Sequence, residues 1–208
     1  MDDSVTLTRE ESGAEIARGP DAVNTALRGT GIWVAPRDFS AEPPSILALL
    51  RKPTLSADEN AKVKAHFVLS RQECLDIIQK AGRKPHHPTG GSLRALSLEN
   101  EIQYPQLWVI EEGADGSAYF PLHVNVSDDG VPSDEVGQVL SGRLMRYRFK
   151  LDDGIVVLTM SCPGHDRGWM FSFDGARPHG GILHETEPGS KILVQVLGPE
   201  TFRSRPVQ

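Results

Sequence analysis

Cysteine is scarce in this chain. The two residues present, Cys74 and Cys162, lie far apart and form no C-x-x-C pair. Neither a zinc ribbon nor a disulfide framework is expected, and both read as free cytosolic thiols. Long apolar runs are also missing, so no segment approaches membrane-spanning length. The start, MDDSVTLTREE, is acidic and polar and has no apolar core of a signal peptide. A soluble, cytoplasmic protein is the expectation. Positive charge is in deficit, with 22 Lys and Arg against 28 Asp and Glu and a net charge of -6. No basic stripe is available to meet phosphates, which argues against a nucleic-acid partner. The chain contains no G-x-S-x-G elbow, phosphate-binding loop or dinucleotide fingerprint, so hydrolase, kinase and Rossmann readings lack support.

Glycine (20) and proline (15) are abundant among the 208 residues. That number of turn formers suits a β-rich chain, and the length allows one sizeable core with a small helical annex. Thr8-Arg9-Glu10-Glu11 has capping-box spacing and predicts a short helix. Ile32-Trp33-Val34 reads as a short strand, and Ser45 to Leu50 as one or two helical turns ended by Pro53. Two further boxes, Ser56-x-x-Glu59 and Ser70-x-x-Glu73, predict helices to about His66 and Ala81, the second stopped by Gly82. Cys74, Leu75, Ile77 and Ile78 give the second helix an apolar stripe, with Cys74 as a core filler. His86-His87 falls in a Pro/Gly linker and is expected to be solvent-exposed.

From about Ser92 short β-type runs recur between turn signals: 107–110, 119–126, 136–140, 144–149, 155–160, 169–173, 182–185 and 192–197. Tyr147 and Phe149 alternate with Arg146, Arg148 and Lys150, as on a half-buried strand. Asp152-Asp153-Gly154 reads as a hairpin turn. The expected organisation is a helical and irregular region at 1–91 packed on a β-barrel domain at 92–202, with a C-terminal tail at 203–208.

Two segments carry a family resemblance. GWMFSFDGARPH, from Gly168 to His179, has the register of a G-D-x4-P-A-G-x-P-H motif. Trp169 stands for the usual Asp and Asp174 for the usual Pro. Pro188-Gly189 and Lys191 to Leu197 supply the later turn and last strand. Glu135 to Gly142 matches the E-x6-G half of a first motif, G-x5-H-x-H-x3-4-E-x6-G. His123-Val124-Asn125 matches its H-x-H step with Asn for the second His, and a longer insertion precedes Glu135. These residues, about half the chain, resemble the cupin superfamily. The resemblance implies a mainly β, double-stranded β-helix (a jelly-roll barrel), behind a small α-helical N-terminal region. It also implies a divalent metal at a His/Glu site, and a homodimer.

A His/His/Glu group with an open face suits Fe(II) first, with Mn(II), Ni(II) or Zn(II) as alternatives. The expected ligands are His123, Glu135 and His179. Asp128 or Asp129 in the insertion is a substitute carboxylate. Glu135 and His184 are the candidate proton-moving groups. Asn125, Gln138, Arg146, Trp108 and Tyr119 are candidate substrate contacts, an inward Arg146 being suited to a carboxylate. By parity Gln138 would face away from Glu135, and the Arg146–Arg148 face reads more readily as solvated. The function expected is a metal-dependent enzyme acting on a small aromatic or carboxylate metabolite. Dioxygenase chemistry is one form, as in ring-cleaving cupins that act on hydroxyanthranilate, although the arginine expected ahead of the first His is absent. Lyase or isomerase chemistry is the other. A metal-free module that binds or senses a small ligand is the alternative.

Overall fold

A computed structural model of the chain describes residues 4–87, 92–93, 106–109, 121–163, 166–182, 188–198 and 203–207. The fold is mainly β and antiparallel, and one strand organises it. That strand is β7 (Asp134–Leu151), 18 residues long. Its first half, Asp134 to Ser141, pairs with β9 (Arg167–Asp174) and β11 (Lys191–Gly198). Its second half pairs with β8 (Gly154–Cys162) and β10 (His179–Ile182). A single strand therefore runs through both sheets of a sandwich. The transfer occurs at Gly142, where φ is +112° and the register with β8 shifts. A Cβ at Gly142 would stand 2.9 Å from the Ser190 Cα and closer still to its side chain. This is the glycine of the E-x6-G pattern, and both its dihedral and its close approach exclude a side chain.

One sheet continues from β10 to β6 (His123–Val126) and β12 (Arg203–Pro206), and from β8 to β1 (Ser4–Arg9) and β2 (Glu15–Arg18). In the other, β9 pairs with β3 (Trp33–Asp38), and β11 pairs with β4 (Ser92–Leu93) and β5 (Gln106–Val109). Between the sheets lies a core that includes Val5, Leu7, Val34, Met145, Leu158, Trp169 and Ile192. The Trp169 indole N–H donates to the Ser161 carbonyl at 2.9 Å, which lets a polar handle be buried.

The N-terminal region, expected to be helical and irregular with a short strand at Ile32 to Val34, contributes more strand than that. The Thr8 box forms no helix; Thr8 and Arg9 lie in β1, paired with Val157 and Val156. Cross-strand burial of Val5 and Leu7 prevails over a capping signal that had no apolar helical face behind it. Three strands from this region join the sheets. The segment 203–206, expected as a tail, is strand β12 on the edge of β6.

The two Ser-x-x-Glu boxes do open helices. In α3 (Ala57–Phe67) and α4 (Arg71–Lys80), Ser56 with Glu59 and Ser70 with Glu73 make complete capping boxes. Among the described residues two further helices are α1 (Pro20–Ala26), beside β2 and β3, and α2 (Pro44–Leu50). Leu50, Val63 and Phe67 of α2 and α3 pack on Leu107, Leu140 and Leu193. Cys74, Ile77 and Ile78 of α4 pack on Val136 and Leu197. These helices cover the outer face of the second sheet. That is why the first half of β7, DEVGQVLS, is buried on both faces. Cys74 is buried, and burial pushes its thiol up to about 12, the behaviour of a core filler. Among the described residues no helix is long and apolar enough to cross a membrane.

Candidate active site

Strand register brings the two motif halves together. His123 on β6 lies directly opposite His179 on β10. Their ring centroids are 4.4 Å apart. Facing side chains on an antiparallel pair must meet in this way. Each ring is fixed by its own chain: His123 Nδ1 lies 2.7 Å from the Pro121 carbonyl, and His179 Nδ1 lies 2.7 Å from the Arg177 carbonyl. A carbonyl only accepts, so each Nδ1 carries the proton and each Nε2 carries the lone pair. This is the tautomer a metal-ligating imidazole needs.

Glu135 enters from the other sheet, between Phe173 and Val196. Its Oε1 is 3.4 Å from His179 Nε2. Asn125 links them. Its Nδ2 donates to Glu135 Oε1 at 2.6 Å and sits 3.0 Å from His179 Nε2. Its Oδ1 accepts from the Ser204 hydroxyl at 2.7 Å. His123, Asn125, Glu135 and His179 are all buried. The long insertion ahead of Glu135 does not separate the halves. Ser127 to Val131 makes a tight return, and Ser133 N–H donates back to the Asn125 carbonyl.

Burial sets the charges. It pushes the Glu135 carboxyl up to about 8, against the opposing hydrogen bond from Asn125. Burial, together with His123 nearby, holds His179 down to about 3, and burial lowers His123 as well. The Glu135–His179 pair is close enough for an ion pair, but both groups are driven to their neutral forms. Behind His179 the interior is aromatic. Phe173 stands 4.4 Å from the His179 ring centroid and 5.1 Å from Phe149, and Tyr147 stands 4.9 Å from Phe171. These rings fill the barrel on that side. Among the described residues, no group of three or more His, Cys, Asp and Glu side chains is gathered closely enough to hold a metal ion as it stands. The Asn125 amide nitrogen lies between the carboxylate and the His179 lone pair.

A search for a matching family model found none, and no curated protein matched the sequence. A solved structure does match in shape. It is acireductone dioxygenase from Bacillus anthracis with cadmium ion in its active centre. The TM-score is 0.61 at 14% identity, and the match covers 100% of both chains. The chain has the cupin fold. At that identity the likeness concerns architecture alone.

Of the expected site residues, the cupin fold gathers His123, Asn125, Glu135 and His179. Gln138 is not among them. It shares the outer face of β7 with Val136 and Leu140, its Nε2 donates to the Phe67 carbonyl at 2.8 Å, and its Oε1 accepts from Arg37. One end of its amide docks the end of α3 and the other meets Arg37 of β3, on the face away from Glu135. Arg146 lies between buried Met145 and Tyr147 and faces the outer side of β7, away from the ring cluster. Asp128 and Asp129 are exposed, and Asp128 pairs with Arg205 at 3.1 Å, so neither supplies a carboxylate to the site. His86 pairs with Asp174 at 3.0 Å, and His87 Nε2 lies 3.2 Å from the Pro132 carbonyl. Tyr119 and His184 lie outside the described residues, as does the side chain of Trp108. Ser204 was not anticipated. Its segment, RSRP, has no apolar alternation, and only its pairing with β6 places the hydroxyl against Asn125.

Proposed function

We propose that this chain is a metal-dependent cupin enzyme acting on a small metabolite, with dioxygenase chemistry as the reading favoured over lyase or isomerase chemistry. The observation that carries it is the pair of facing imidazoles, each with Nδ1 tied to a backbone carbonyl and Nε2 left as the lone-pair nitrogen. A structural histidine pair has no need of matched tautomers on both rings. His123, Glu135 and His179 would hold the ion, and Fe(II) suits two imidazoles and a carboxylate, with Mn(II), Ni(II) and Zn(II) as alternatives. Two ligands at right angles, each about 2.1 Å from a cation, stand about 3 Å apart. Of the proposed ligand atoms, Glu135 Oε1 and His179 Nε2 stand 3.4 Å apart, with the Asn125 NH2 between them, so the ligands would have to draw together around an ion. The similarity in fold to a dioxygenase with cadmium in its active centre supports this choice of chemistry.

A bound ion of this kind supplies a Lewis acid and a docking point for oxygen-donor ligands. The chain supplies the rest. Tyr147, Phe149, Phe171 and Phe173 close the barrel behind His179, which excludes water there and limits the site to a small substrate. Asn125 Nδ2 fixes Glu135 Oε1 by a 2.6 Å hydrogen bond. The carbonyls of Pro121 and Arg177 keep both imidazoles from rotating.

Metal analysis of protein purified without added metal, followed by dialysis against Fe(II), Mn(II), Ni(II) and Zn(II) under argon, tests the proposal. The expected result is near-stoichiometric uptake that is lost in His179→Ala. Absence of uptake by the wild-type protein would sink it and leave a barrel that binds a small ligand without metal.

A further inference from the structure

Of the four rings in the cluster beyond His179, only one carries a polar atom. Phe149, Phe171 and Phe173 are sealed, each 1% exposed or less, whereas Tyr147 keeps 6%. The Tyr147 ring lies between the sheets, 4.9 Å from Phe171 and 5.9 Å from Phe173 across the interior and 6.0 Å from Phe149 on its own strand. Among the described residues its hydroxyl has no hydrogen-bond partner. Unlike the Ser161 hydroxyl, it is not completely enclosed either. A hydroxyl taken out of water without a partner costs free energy. Phenylalanine, present at three neighbouring positions, fills the same space without that cost. Burial, reinforced by the nearby Glu135 carboxylate, pushes ionisation of the phenol up, so the hydroxyl stays a donor.

The backbone leaves room beside this donor. Directly across from Tyr147 on β10 is Gly181, and His179 faces Phe149 at the next pair on the same face. Residues opposite each other on an antiparallel pair share a face, so Tyr147, Phe149, Gly181 and His179 look into one interior. The Gly181 position puts no side chain between the phenol and the imidazole. In the opposite sheet Phe171 lies down over its partner Gly137, where a Cβ would stand 2.2 Å from the Phe171 Cζ. That ring is therefore held against its own sheet.

We propose that Tyr147 is the specificity residue of this site: its hydroxyl donates a hydrogen bond to a carbonyl oxygen of a small, flat substrate seated over Gly181, between the aromatic wall and the His123–His179 pair. The inference rests on the proposed function for where the substrate lies, and it names a group the substrate must carry. The surroundings select that group. A wall of rings favours a planar ligand. The inward residues of this half of β7 and of β10 are Met145, Tyr147, Phe149, His179 and Gly181, with no Lys or Arg among them. A neutral acceptor therefore suits the neutral phenol better than a bare carboxylate does.

The test uses two probes of nearly the same shape, acetophenone and α-methylstyrene, which differ by a carbonyl oxygen against a methylene carbon. Their affinities for wild type and for Tyr147→Phe are measured by isothermal titration calorimetry on protein without added metal. Wild type is expected to prefer acetophenone by at least about tenfold, the size of one buried neutral hydrogen bond. Tyr147→Phe is expected to bind α-methylstyrene as wild type does and to lose the preference. Without a probe the variant should be at least as stable to heat as wild type, because an unpartnered hydroxyl has been removed. In wild type labelled at tyrosine Cζ, the Tyr147 resonance, assigned through Tyr104→Phe and Tyr119→Phe, should move with acetophenone and stay in place with α-methylstyrene. That reading holds however Tyr147→Phe folds. Binding of neither probe, equal affinity for both in wild type, a preference that survives in Tyr147→Phe, or a variant clearly less stable than wild type without a probe overturns the inference. Metal uptake is measured separately. Its absence, with a carbonyl preference that depends on Tyr147, would sink the metal-dependent function and leave the donor standing.

Discussion

Replacing Lys191 with Met would test how the helical layer is fastened to the barrel. Lys191 is fully buried on β11, and its ammonium donates to the carbonyls of Leu50 at 3.1 Å, Lys52 at 2.6 Å and Gly189 at 2.7 Å. Leu50 ends α2, so the positive charge also sits at the carbonyl end of a helix. Methionine keeps most of the stem and removes the donor. The Leu50 carbonyl is buried and those of Lys52 and Gly189 are part-buried, so leaving them short of a partner costs about 3 kcal/mol for the first and about 1 for each of the others, roughly 5 kcal/mol together at the upper end. Removing a buried ammonium returns part of this, so a net loss of about 2–4 kcal/mol is expected. For a chain of this length that lowers Tm by roughly 5–15 °C. The pH dependence adds a signature. Burial pushes the Lys191 amine down from 10.5 to about 8. Between those values the unfolded chain holds a proton that the folded chain has released, so raising pH through that window stabilises the wild type. Methionine has no such proton. The Tm difference between wild type and Lys191→Met should therefore widen from pH 8 to pH 10. A difference that stays flat or narrows would refute the account of a desolvated amine, and a variant as stable as wild type would refute the fastening role.

Other outcomes follow from the same structure. Gly142→Ala should destabilise by at least about 3 kcal/mol in urea unfolding, because φ is +112° and the new Cβ would run into Ser190. Trp169→Phe should cost about 1–2 kcal/mol by leaving the buried Ser161 carbonyl without its indole donor. Cys74 and Cys162 are both buried, and neither should react with a thiol reagent until the protein is unfolded. Arg83 forms a buried ion pair with Asp134, and Arg83→Met should cost about 3–5 kcal/mol by stranding the carboxylate.

The period-2 runs, the two Ser-x-x-Glu boxes and the 152–154 hairpin turn were legible in the sequence because each is a local matter of side-chain spacing and backbone hydrogen bonding. Gly142 and Gly168 were legible as motif positions, and the structure gives the reason: a Cβ at Gly168 would press on Phe39, and one at Gly142 on Ser190. His123 and His179 were legible through the motif register. The fate of Thr8 to Glu11 was not. A capping box states only how a helix could begin, and the pairing of β1 with β8 comes from a strand some 150 residues further along.

By itself, then, the sequence determined a β-rich chain with two capped helices, a pair of candidate histidines and an acidic partner at Glu135. Tertiary structure alone decided that β1, β2 and β3 belong to the sheets, that residues 203–206 form a strand, and that Gln138 faces the helices. It also decided the character of the site. Asn125 reads in sequence as a stand-in for the second motif His and a candidate substrate contact, and in the fold it joins Glu135, His179 and Ser204. The physical reason is common to all of these. Local spacing fixes the face on which a side chain lies, but strand pairing between distant segments fixes what it meets there.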